Sequence, residues 1–321
     1  MEILNAFDVA AIEQAVSVLR SGGVVAFPTE TVYGLGADAF NARAVARIFE
    51  IKKRPRFDPL IVHVARKEWV FDVAEEVAPQ AVKMIDRFWP GPLTIILKKQ
   101  ACVPDIVTAG LSTVGVRMPS HPAALALIEA LGHPIAAPSA NPFGYISPTR
   151  ARHVAKMFRH EPGIILDGGN SRFGIESTIV SVRDGTIVLH RHGAIPVEDI
   201  RSIGETVREK TADSVCEAPG ELPYHYAPMK PLKIIDDLDE ITVPASSYLG
   251  FRETEKRPPS RYAKYLSRDG DMGEAASNFF SHLIELDRQD VDVIYAERIP
   301  EQGLGKAMME RLTKAAKKCT P

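Results

Sequence analysis

Apolar positions along the chain follow two spacings, one typical of helices and one typical of short buried strands. Residues 8–21 repeat apolar side chains at intervals of three and four and end at Gly22-Gly23, which predicts an amphipathic helix. Further helical patterns lie at 42–53, 79–88, 121–131 and 149–158. Strand-like apolar runs lie at 24–27, 60–64, 93–97, 114–118, 134–137, 163–166, 178–182 and 186–190. Strands interleaved with helices predict a layered α/β or α+β domain.

The spacing of the last two runs indicates how the strands pair. Residues 178–182 and 186–190 are too close for a helical crossover, and Asp184-Gly185 between them is a hairpin turn signal. Longer helical connections elsewhere favour parallel pairing. The sequence therefore predicts a twisted mixed sheet with flanking helices.

The pattern changes after about residue 205. Three prolines within 218–228 exclude regular structure there, while two tyrosines and a histidine make the stretch unusually aromatic for a linker. From Leu232 the patterns resume, with strands at 232–235, 246–251 and 291–295 and helices at 274–288 and 304–317. We predict a first domain over 1–205, an interdomain linker over 206–230, and a smaller α/β, Rossmann-like accessory domain over 231–321.

Composition narrows the class of protein only slightly. The 321 residues carry a net charge of −2, so no overall field favours nucleic acid or a membrane. Apolar runs stay well short of the ~18 residues of a spanning helix, and the first residues do not resemble a secretory signal. Three isolated cysteines, Cys102, Cys216 and Cys319, fit neither a disulfide framework nor a zinc site. These features predict a cytoplasmic protein.

Four cations fall within residues 52–56, where a predicted helix ends and turns through prolines into a strand. One interpretation is a solvated helix end, whose cations interact favourably with the helix dipole by about 0.3–1 kcal/mol. The other is a phosphate site, since α/β proteins bind ligands where strands and helices end together. The chain has no Gly-rich Walker-type Lys loop, so side chains would have to hold a polyphosphate.

Two ionisable residues lie inside predicted strands. His63 occupies a strand that is apolar on both faces, which is more typical of a core histidine than of a ligand. Arg117 alternates with Val116 and Met118, so its guanidinium is expected to be buried. A buried guanidinium needs an anionic partner, and either a protein carboxylate or a substrate carboxylate would serve.

Polar loops follow several of the predicted strands, at 28–36, 138–149, 167–169 and 174–178. Each loop alone is compatible with ordinary turn chemistry. Several at strand ends within one domain indicate a binding site. The sequence offers no defensible Ser-His-Asp or Cys-His arrangement and no clear metal-ligand spacing. Chemistry driven by positioning and electrostatics, such as activation of a carboxylate by ATP, fits these residue types.

Taken in order, these segments resemble the YrdC-type threonylcarbamoyl-adenylate synthases in the long form with a C-terminal accessory domain. The N-terminal motifs are Pro-Thr-Glu-Thr-Val-Tyr-Gly-Leu at 28–35, Lys-x-Arg at 52–54 and Asp-Pro-Leu-Ile-Val-His at 58–63. Downstream motifs are Trp-Pro-Gly-Pro-Leu-Thr at 89–94, Val-Arg-Met-Pro at 116–119, Ala-Pro-Ser-Ala-Asn at 137–141, Glu-Ser-Thr-Ile at 176–179 and His-Tyr-Ala-Pro at 225–228. The matches run from about residue 5 to the C-terminus.

The resemblance implies a nucleotidyltransferase that joins L-threonine, bicarbonate or carbon dioxide, and ATP into threonylcarbamoyl-AMP and releases pyrophosphate. This is the first step of threonylcarbamoyl-adenosine modification of tRNA, and a separate transferase complex would use the product. The resemblance also implies magnesium bound through ATP, with no metal ligand from protein side chains and no protein nucleophile. Direct tRNA binding is only weakly indicated, and no membrane partner is expected.

The resemblance also implies positions for the two substrates. The ATP site would contain Lys52, Arg54, Asp58, Thr113, Ser139, Asn141, Ser147 and Arg191, with Gly220 and Tyr226 of the linker nearest to the nucleotide. The threonine site would contain Thr31, His63, Arg117, Ala137 and Ser177. Arg117 is expected to bind the threonine carboxylate, because a planar guanidinium matches a carboxylate in bidentate fashion.

Two alternatives remain open at this point. A carbamoyl-adenylate chemistry like that of hydrogenase-maturation relatives would use carbamoyl phosphate, but those chains carry extra domains. A double-stranded-RNA-binding or ribosome-maturation protein of the same fold would need a basic surface. The near-neutral charge of residues 1–205 disfavours strong RNA binding.

Overall fold

The computed structural model describes residues 1–158, 160–210, 217–220 and 225–317. These residues form one large mixed sheet and one small parallel sheet, with helices packed on both. The helices are α1 Val9–Arg20, α2 Ala42–Lys52, α3 Val70–Val73, α4 Pro79–Phe88, α5 Asp105–Thr108, α6 Pro122–Leu131, α7 Ala151–Met157, α8 Val197–Arg201, α9 Met272–Asp287 and α10 Leu304–Ala316. Single 3-10 turns lie at Lys67–Trp69 and Leu238–Glu240.

The large sheet contains twelve strands from the first two thirds of the chain. They are β1 Glu2–Asn5, β2 Val25–Phe27, β3 Gly34–Asp38, β4 Ile61–His63, β5 Ala74–Glu76, β6 Leu93–Lys99, β7 Thr113–Arg117, β8 Ile135–Ala137, β9 Ile164–Asp167, β10 Thr178–Arg183, β11 Thr186–Arg191 and β12 Val207–Glu209. Their order is β1-β9-β2-β3-β8-β4-β7-β6-β10-β11-β12, and β5 pairs with β6. The sheet contains parallel pairs such as β4–β7 and antiparallel pairs such as β6–β7, which confirms the predicted mixed sheet.

The hairpin predicted across Asp184-Gly185 is present as the antiparallel pair β10–β11. Four strands were not predicted, namely β1, β3, β5 and β12. Strand β3 reads Gly-Leu-Gly-Ala-Asp, and its glycines hide the strand pattern although nearly all of it is buried. The other three are short, and each contains charged or polar residues that conceal a strand pattern.

The small sheet contains four parallel strands from the last third of the chain. They are β13 Leu232–Ile235, β14 Ser246–Arg252, β15 Tyr262–Ser267 and β16 Val293–Glu297, in the order β13-β16-β14-β15. Helix α9 packs on β14 and β15, and α10 packs on β13 and α9. The predicted small α/β unit is confirmed, although β15 was missed.

The hydrophobic core of the small sheet continues into the large one. Val32, Ile175 and Ala194 of the first part belong to the same buried cluster as Phe280 and Leu312 of the last part. At Gly174 a Cβ atom would lie 2.3 Å from the carbonyl oxygen of Ala276 on α9, so the two backbones are in direct contact. The two units therefore share a core rather than touching at a thin interface.

The limits 1–205, 206–230 and 231–321 stay a prediction. Strand β12 pairs with β11, so the large sheet includes residues of the stretch expected as linker. Within that stretch, residues 211–216 and 221–224 lie outside the described residues, as do Cys216 and Cys319. Cys102 is exposed and not disulfide-bonded. No helix in the described ranges is both long and apolar enough to cross a membrane.

Candidate active site

A cavity lies where the ends of several strands of the large sheet meet the linker, and its empty space, counted together with its opening to solvent, is about 530 Å³. Ten of the fifteen residues expected at the substrate sites line it: Thr31, Arg54, His63, Arg117, Ala137, Ser139, Ser177, Arg191, Gly220 and Tyr226. We call the lining residues between positions 29 and 191 the sheet wall, and Pro219, Gly220, His225 and Tyr226 the linker wall. The structure thus brings together residues that are far apart in sequence.

The other five expected residues do not line this cavity. Lys52, Asp58, Asn141 and Ser147 lie one layer behind it, and each contacts a residue that does line it. Thr113 lies instead in a neighbouring cavity of about 270 Å³. The two cavities share Ile61 and Pro219 in their walls.

The basic run after α2 is divided between buried and exposed cations. Asn41 caps the start of α2 by accepting from the backbone of Arg43 and Ala44, and Lys53 ends the helix in a left-handed conformation with φ of 52°. Lys52 and Arg54 on either side of it are buried, whereas Lys53 itself is exposed. The interpretation of this run as a solvated helix end is therefore wrong for Lys52 and Arg54.

Lys52 joins α2 to the loop after β8. Its ammonium donates to the carbonyl oxygen of Ser139 at 2.6 Å and also to that of Asn141. Burial, and then the nearby Arg54 guanidinium, holds the pKa of Lys52 well below its usual range. Lys52 therefore fixes the Ser139–Asn141 turn at the edge of the cavity.

Arg54 is only 7 % exposed, and its side chain binds the loop that follows it in sequence. Its guanidinium pairs with the Asp58 carboxylate at 2.9 Å and donates to the carbonyl oxygens of Asp58 and Pro59. These bonds hold the guanidinium at the cavity surface in a fixed orientation. A buried cation in this position can compensate a phosphate charge without having to be ordered first.

Arg117 has a protein carboxylate as its partner. The Glu30 carboxylate accepts from Arg117 at 2.6 Å and from the backbone N–H of Ser120 at 3.1 Å. Both side chains of the pair are at least 95 % buried, since their exposed fractions are 4 % and 5 %. Of the two partners left open by the sequence, the protein carboxylate is therefore present. Arg117 nevertheless also lines the cavity, so it can contact a second anion there.

His63 is both a buried strand residue and a cavity residue, so the two interpretations of it are compatible. Its Nδ1 lies 3.2 Å from the carbonyl oxygen of Ile61, and its ring meets Phe27 edge to face. Burial, reinforced by the charge of Arg117, lowers the pKa of His63 to about 3. The imidazole is therefore neutral at physiological pH and offers the cavity a polar group without charge.

Arg191 connects the sheet wall to the linker wall. It donates to the carbonyl oxygen of Ser177 at 2.8 Å and to that of Pro219 at 3.0 Å. Ser177 in turn shares a hydrogen bond with Thr94 at 2.8 Å. Arg191 thus determines where the linker passes over the cavity.

The linker wall depends on two residues with positive φ. Gly220 has φ of 84°, and a Cβ there would lie 2.6 Å from the Tyr226 hydroxyl. Tyr226 has φ of 64°, which is uncommon for a residue with a side chain. The Tyr226 hydroxyl and His225 Nδ1 are buried and have no hydrogen-bond partner among the described residues. Burial, and then Arg54 and Lys52, lowers the pKa of His225, so its ring is neutral.

Three polar residues of the cavity wall were not among the expected site residues: Thr29, Glu176 and His225. Thr29 and Glu176 stand in polar loops that the sequence did single out, and His225 stands beside Tyr226 in the His-Tyr-Ala-Pro motif. Their polar character and position in those motifs were the available signal. No cluster of three or more His, Cys, Asp or Glu side chains that could hold a metal ion occurs in the described part of the chain.

Comparisons with known proteins identify the family of the chain. A family described as "Telomere recombination" (Sua5_yciO_yrdC) matches residues 17–193, and one described as "Threonylcarbamoyl-AMP synthase, C-terminal domain" matches residues 195–317. Threonylcarbamoyl-AMP synthase of Pyrococcus abyssi is 44% identical, over 95% of this chain and 94% of its own length. The Bacillus subtilis protein of the same name is 43% identical, over 95% of this chain and 92% of its own length.

Solved structures show the same relationship. The crystal structure of P. abyssi Sua5 complexed with L-threonine superposes with a TM-score of 0.91 at 40% identity, covering 99% of this chain and 98% of that one. Escherichia coli YciO superposes with a TM-score of 0.52 at 27% identity and covers 60% of this chain. The fold and the cavity define an ATP-using enzyme of the YrdC class. Within that class, the chain belongs to the threonylcarbamoyl-AMP synthases with a C-terminal domain, which confirms the resemblance.

Proposed function

We propose that this chain makes threonylcarbamoyl-AMP from L-threonine, bicarbonate or carbon dioxide, and ATP, with release of pyrophosphate. This reaction is the first step of threonylcarbamoyl-adenosine formation in tRNA. The observation that carries the proposal is the single cavity in which three buried arginines, Arg54, Arg117 and Arg191, meet a neutral histidine and a set of hydroxyl groups. A relative with the same fold was crystallised with L-threonine.

The reaction fits a site without a protein nucleophile. The amino nitrogen of threonine attacks carbon dioxide to give a carbamate, and one proton leaves the nitrogen. A carbamate oxygen then attacks the α-phosphorus of ATP, and the bond from that phosphorus to the bridging oxygen breaks to release pyrophosphate. The protein has to orient the reactants, exclude water and compensate negative charge, which buried arginines with fixed partners do well.

We assign the threonine to the part of the cavity formed by Thr31, His63, Arg117, Ala137 and Ser177. All five residues line one continuous surface. Arg117 supplies positive charge for the threonine carboxylate, although Glu30 already occupies part of its guanidinium. The neutral ring of His63 can bind a polar group of threonine without adding a charge beside Arg117.

We assign ATP to Arg54, Ser139 and Arg191 of the sheet wall and to Gly220 and Tyr226 of the linker wall. Lys52, Asp58 and Asn141 support Arg54 and Ser139 from behind and act through them. Ser147 acts through Glu176, another residue of the cavity wall. Thr113 borders the neighbouring cavity, and a nucleotide that extends past Ile61 and Pro219 would reach it.

We propose that magnesium enters with ATP and is held through phosphate oxygens, as is usual for this ion. Glu176 is a carboxylate of the cavity, but Ser147 binds one of its oxygens and Arg311 the other. The residues therefore fit a metal brought by the nucleotide better than a metal held by the protein. When bound, the ion neutralises triphosphate charge.

The same proposal includes the fate of the product and the partners of the chain. The product would pass to a separate threonylcarbamoyl transferase complex in the cytoplasm. No membrane partner is proposed, and tRNA binding by this chain itself is not needed for adenylate formation.

The test is conversion of ATP to pyrophosphate by the purified chain. Release should require threonine and bicarbonate together, and omission of either should reduce it to background. Serine in place of threonine tests substrate choice at the threonine end of the cavity. Pyrophosphate release that is independent of threonine would contradict the proposal.

A further inference from the structure

Helix α10 of the C-terminal unit places a buried arginine against the wall of the cavity. Arg311 is 1 % exposed, and its Nε donates to the Glu176 carboxylate at 3.0 Å. The second oxygen of Glu176 accepts from the Ser147 hydroxyl at 2.6 Å. Because Glu176 lines the cavity, a residue of the last helix is only one side chain away from the cavity.

Arg311 also contacts two other segments around the cavity. Its Nη1 donates to the carbonyl oxygen of His192 at 2.7 Å, directly after β11. Its guanidinium carbon lies 5.4 Å from the centre of the Tyr226 ring, within the range of a cation–π contact. Burial disfavours its charge, but Tyr226, Glu176 and Glu310 together raise the pKa of Arg311, so the cation persists.

One turn further along α10, Lys314 reinforces the same arrangement. Its ammonium donates to the carbonyl oxygen of Gly220 at 2.6 Å and to the Glu310 carboxylate at 2.6 Å. Helix α10 therefore holds the linker wall at two points, Gly220 and Tyr226. Pro219 and the carbonyl of Ser177 are held from the other side by Arg191.

We propose that Arg311 is a positioning residue of the active site, which orients Glu176 and Tyr226 and compensates the charge of Glu176. The inference rests on the proposed function, because it assumes that ATP binds in this cavity. An ionised carboxylate in the wall would repel a triphosphate, and the repulsion is strong where water is excluded. Arg311 removes that repulsion, and it contacts no substrate itself. The C-terminal unit is then part of the ATP site rather than an appendage to it.

Three variants separate this role from a purely structural one. Arg311→Met keeps an unbranched apolar stem but removes the guanidinium and its charge, and Arg311→Lys keeps the charge but loses the planar contacts. In the double variant Arg311→Met with Glu176→Gln, the uncompensated carboxylate is absent and a hydrogen bond to Ser147 is retained. The measurements are kcat and KM for ATP and for threonine, ATP affinity by calorimetry, and the melting temperature.

We expect Arg311→Met to raise KM for ATP at least tenfold, with a smaller change in KM for threonine. The double variant should recover most of the ATP affinity, and Arg311→Lys should be intermediate. The matched control is Glu297→Gln in the same unit, a carboxylate that accepts from Tyr248 and Phe251 far from the cavity. It should lower the melting temperature and leave both KM values unchanged.

The inference is overturned if the double variant binds ATP as poorly as Arg311→Met, or if Glu297→Gln changes KM for ATP as much. The inference is also overturned if Arg311→Met, Arg311→Lys and the double variant all keep the wild-type KM for ATP. Should Arg311→Met fail to fold, the double variant and Arg311→Lys still give the comparison. Failure of the proposed function is distinguishable, because the wild-type chain itself would then show no threonine-dependent pyrophosphate release.

Discussion

The two walls of the cavity are built in opposite ways. In the sheet wall and the layer behind it, each cation is bound to protein atoms: Lys52 to two carbonyl oxygens, Arg54 to Asp58, and Arg117 to Glu30. In the linker wall, the Tyr226 hydroxyl and His225 Nδ1 are buried without partners in the described part of the chain. The cations of the first wall are thus paired within the fold, and in the layer behind it Asn141 Oδ1 is a buried acceptor without a hydrogen-bond partner in the described ranges. The second wall retains unused hydrogen-bonding groups on two side chains that line the cavity itself.

This difference indicates a division of roles. Buried polar atoms without partners cost free energy, so they persist where a ligand can satisfy them. We therefore expect the sheet wall to contribute strongly to folding stability and the linker wall to contribute chiefly to substrate binding. The following predictions test that expectation, from the largest effect on stability to the smallest.

Arg54→Ala should abolish turnover and lower the free energy of unfolding by about 3–5 kcal/mol, because it leaves the buried Asp58 carboxylate without its cation. Chemical denaturation and the pyrophosphate assay measure the two effects. The matched control is Arg56→Ala in the same basic run, which is exposed and should change stability by less than about 0.5 kcal/mol. Addition of Asp58→Ala should restore stability without activity. An Arg54→Ala protein of wild-type stability would show that the Arg54–Asp58 ion pair does not stabilise the fold.

His63→Gln should make folding stability less sensitive to acid. The folded-state pKa of His63 is about 3 against an ordinary value of 6.5, so protons bind the unfolded chain more tightly. The contribution of neutral His63 to the free energy of unfolding is complete above pH 6.5, and it is lost as the pH falls toward 3. Between pH 7 and pH 5 the wild-type chain should therefore lose about 2 kcal/mol more than the variant. Urea unfolding at both pH values measures this difference, and equal losses would contradict it. His133→Gln at an exposed histidine is the control.

Tyr226→Phe should leave the free energy of unfolding within about 0.5 kcal/mol of wild type, because no hydrogen bond is lost. Turnover should fall about tenfold, equivalent to about 1.4 kcal/mol of transition-state stabilisation. Tyr145→Phe is the matched control, since the Tyr145 hydroxyl donates a hydrogen bond to Asp287 outside the cavity. It should reduce stability and retain turnover. If both variants behave alike, the linker wall has no special role in binding.

Secondary structure was predictable where the apolar pattern was strong. Helices such as α1 and α6 and strands such as β4 and β10 follow directly from that pattern. The edge strands β1 and β12 and the glycine-containing β3 were missed, because pairing with other strands of the sheet stabilises them rather than local preference. Tertiary contacts decide such elements.

The site was predictable in its motifs but not in its pairings. The motifs identified Arg54 and Arg117 as important, yet nothing local showed that Asp58 and Glu30 would neutralise them. Glu176 and Arg311 are 135 positions apart, so their contact follows only from the packing of α10 against the first part of the chain. Sequence patterns reveal residue types that can do chemistry, whereas charge balance depends on three-dimensional neighbours.

The core shared by the two units has a consequence for how the protein unfolds. Val32, Ile175 and Ala194 pack against residues of α9 and α10, so separation of the units would expose this apolar surface on both. Since apolar surface is costly to expose to water, separation of the units would destabilise each of them. Heating should therefore produce one calorimetric transition for the whole chain, with no intermediate in which only one unit has melted.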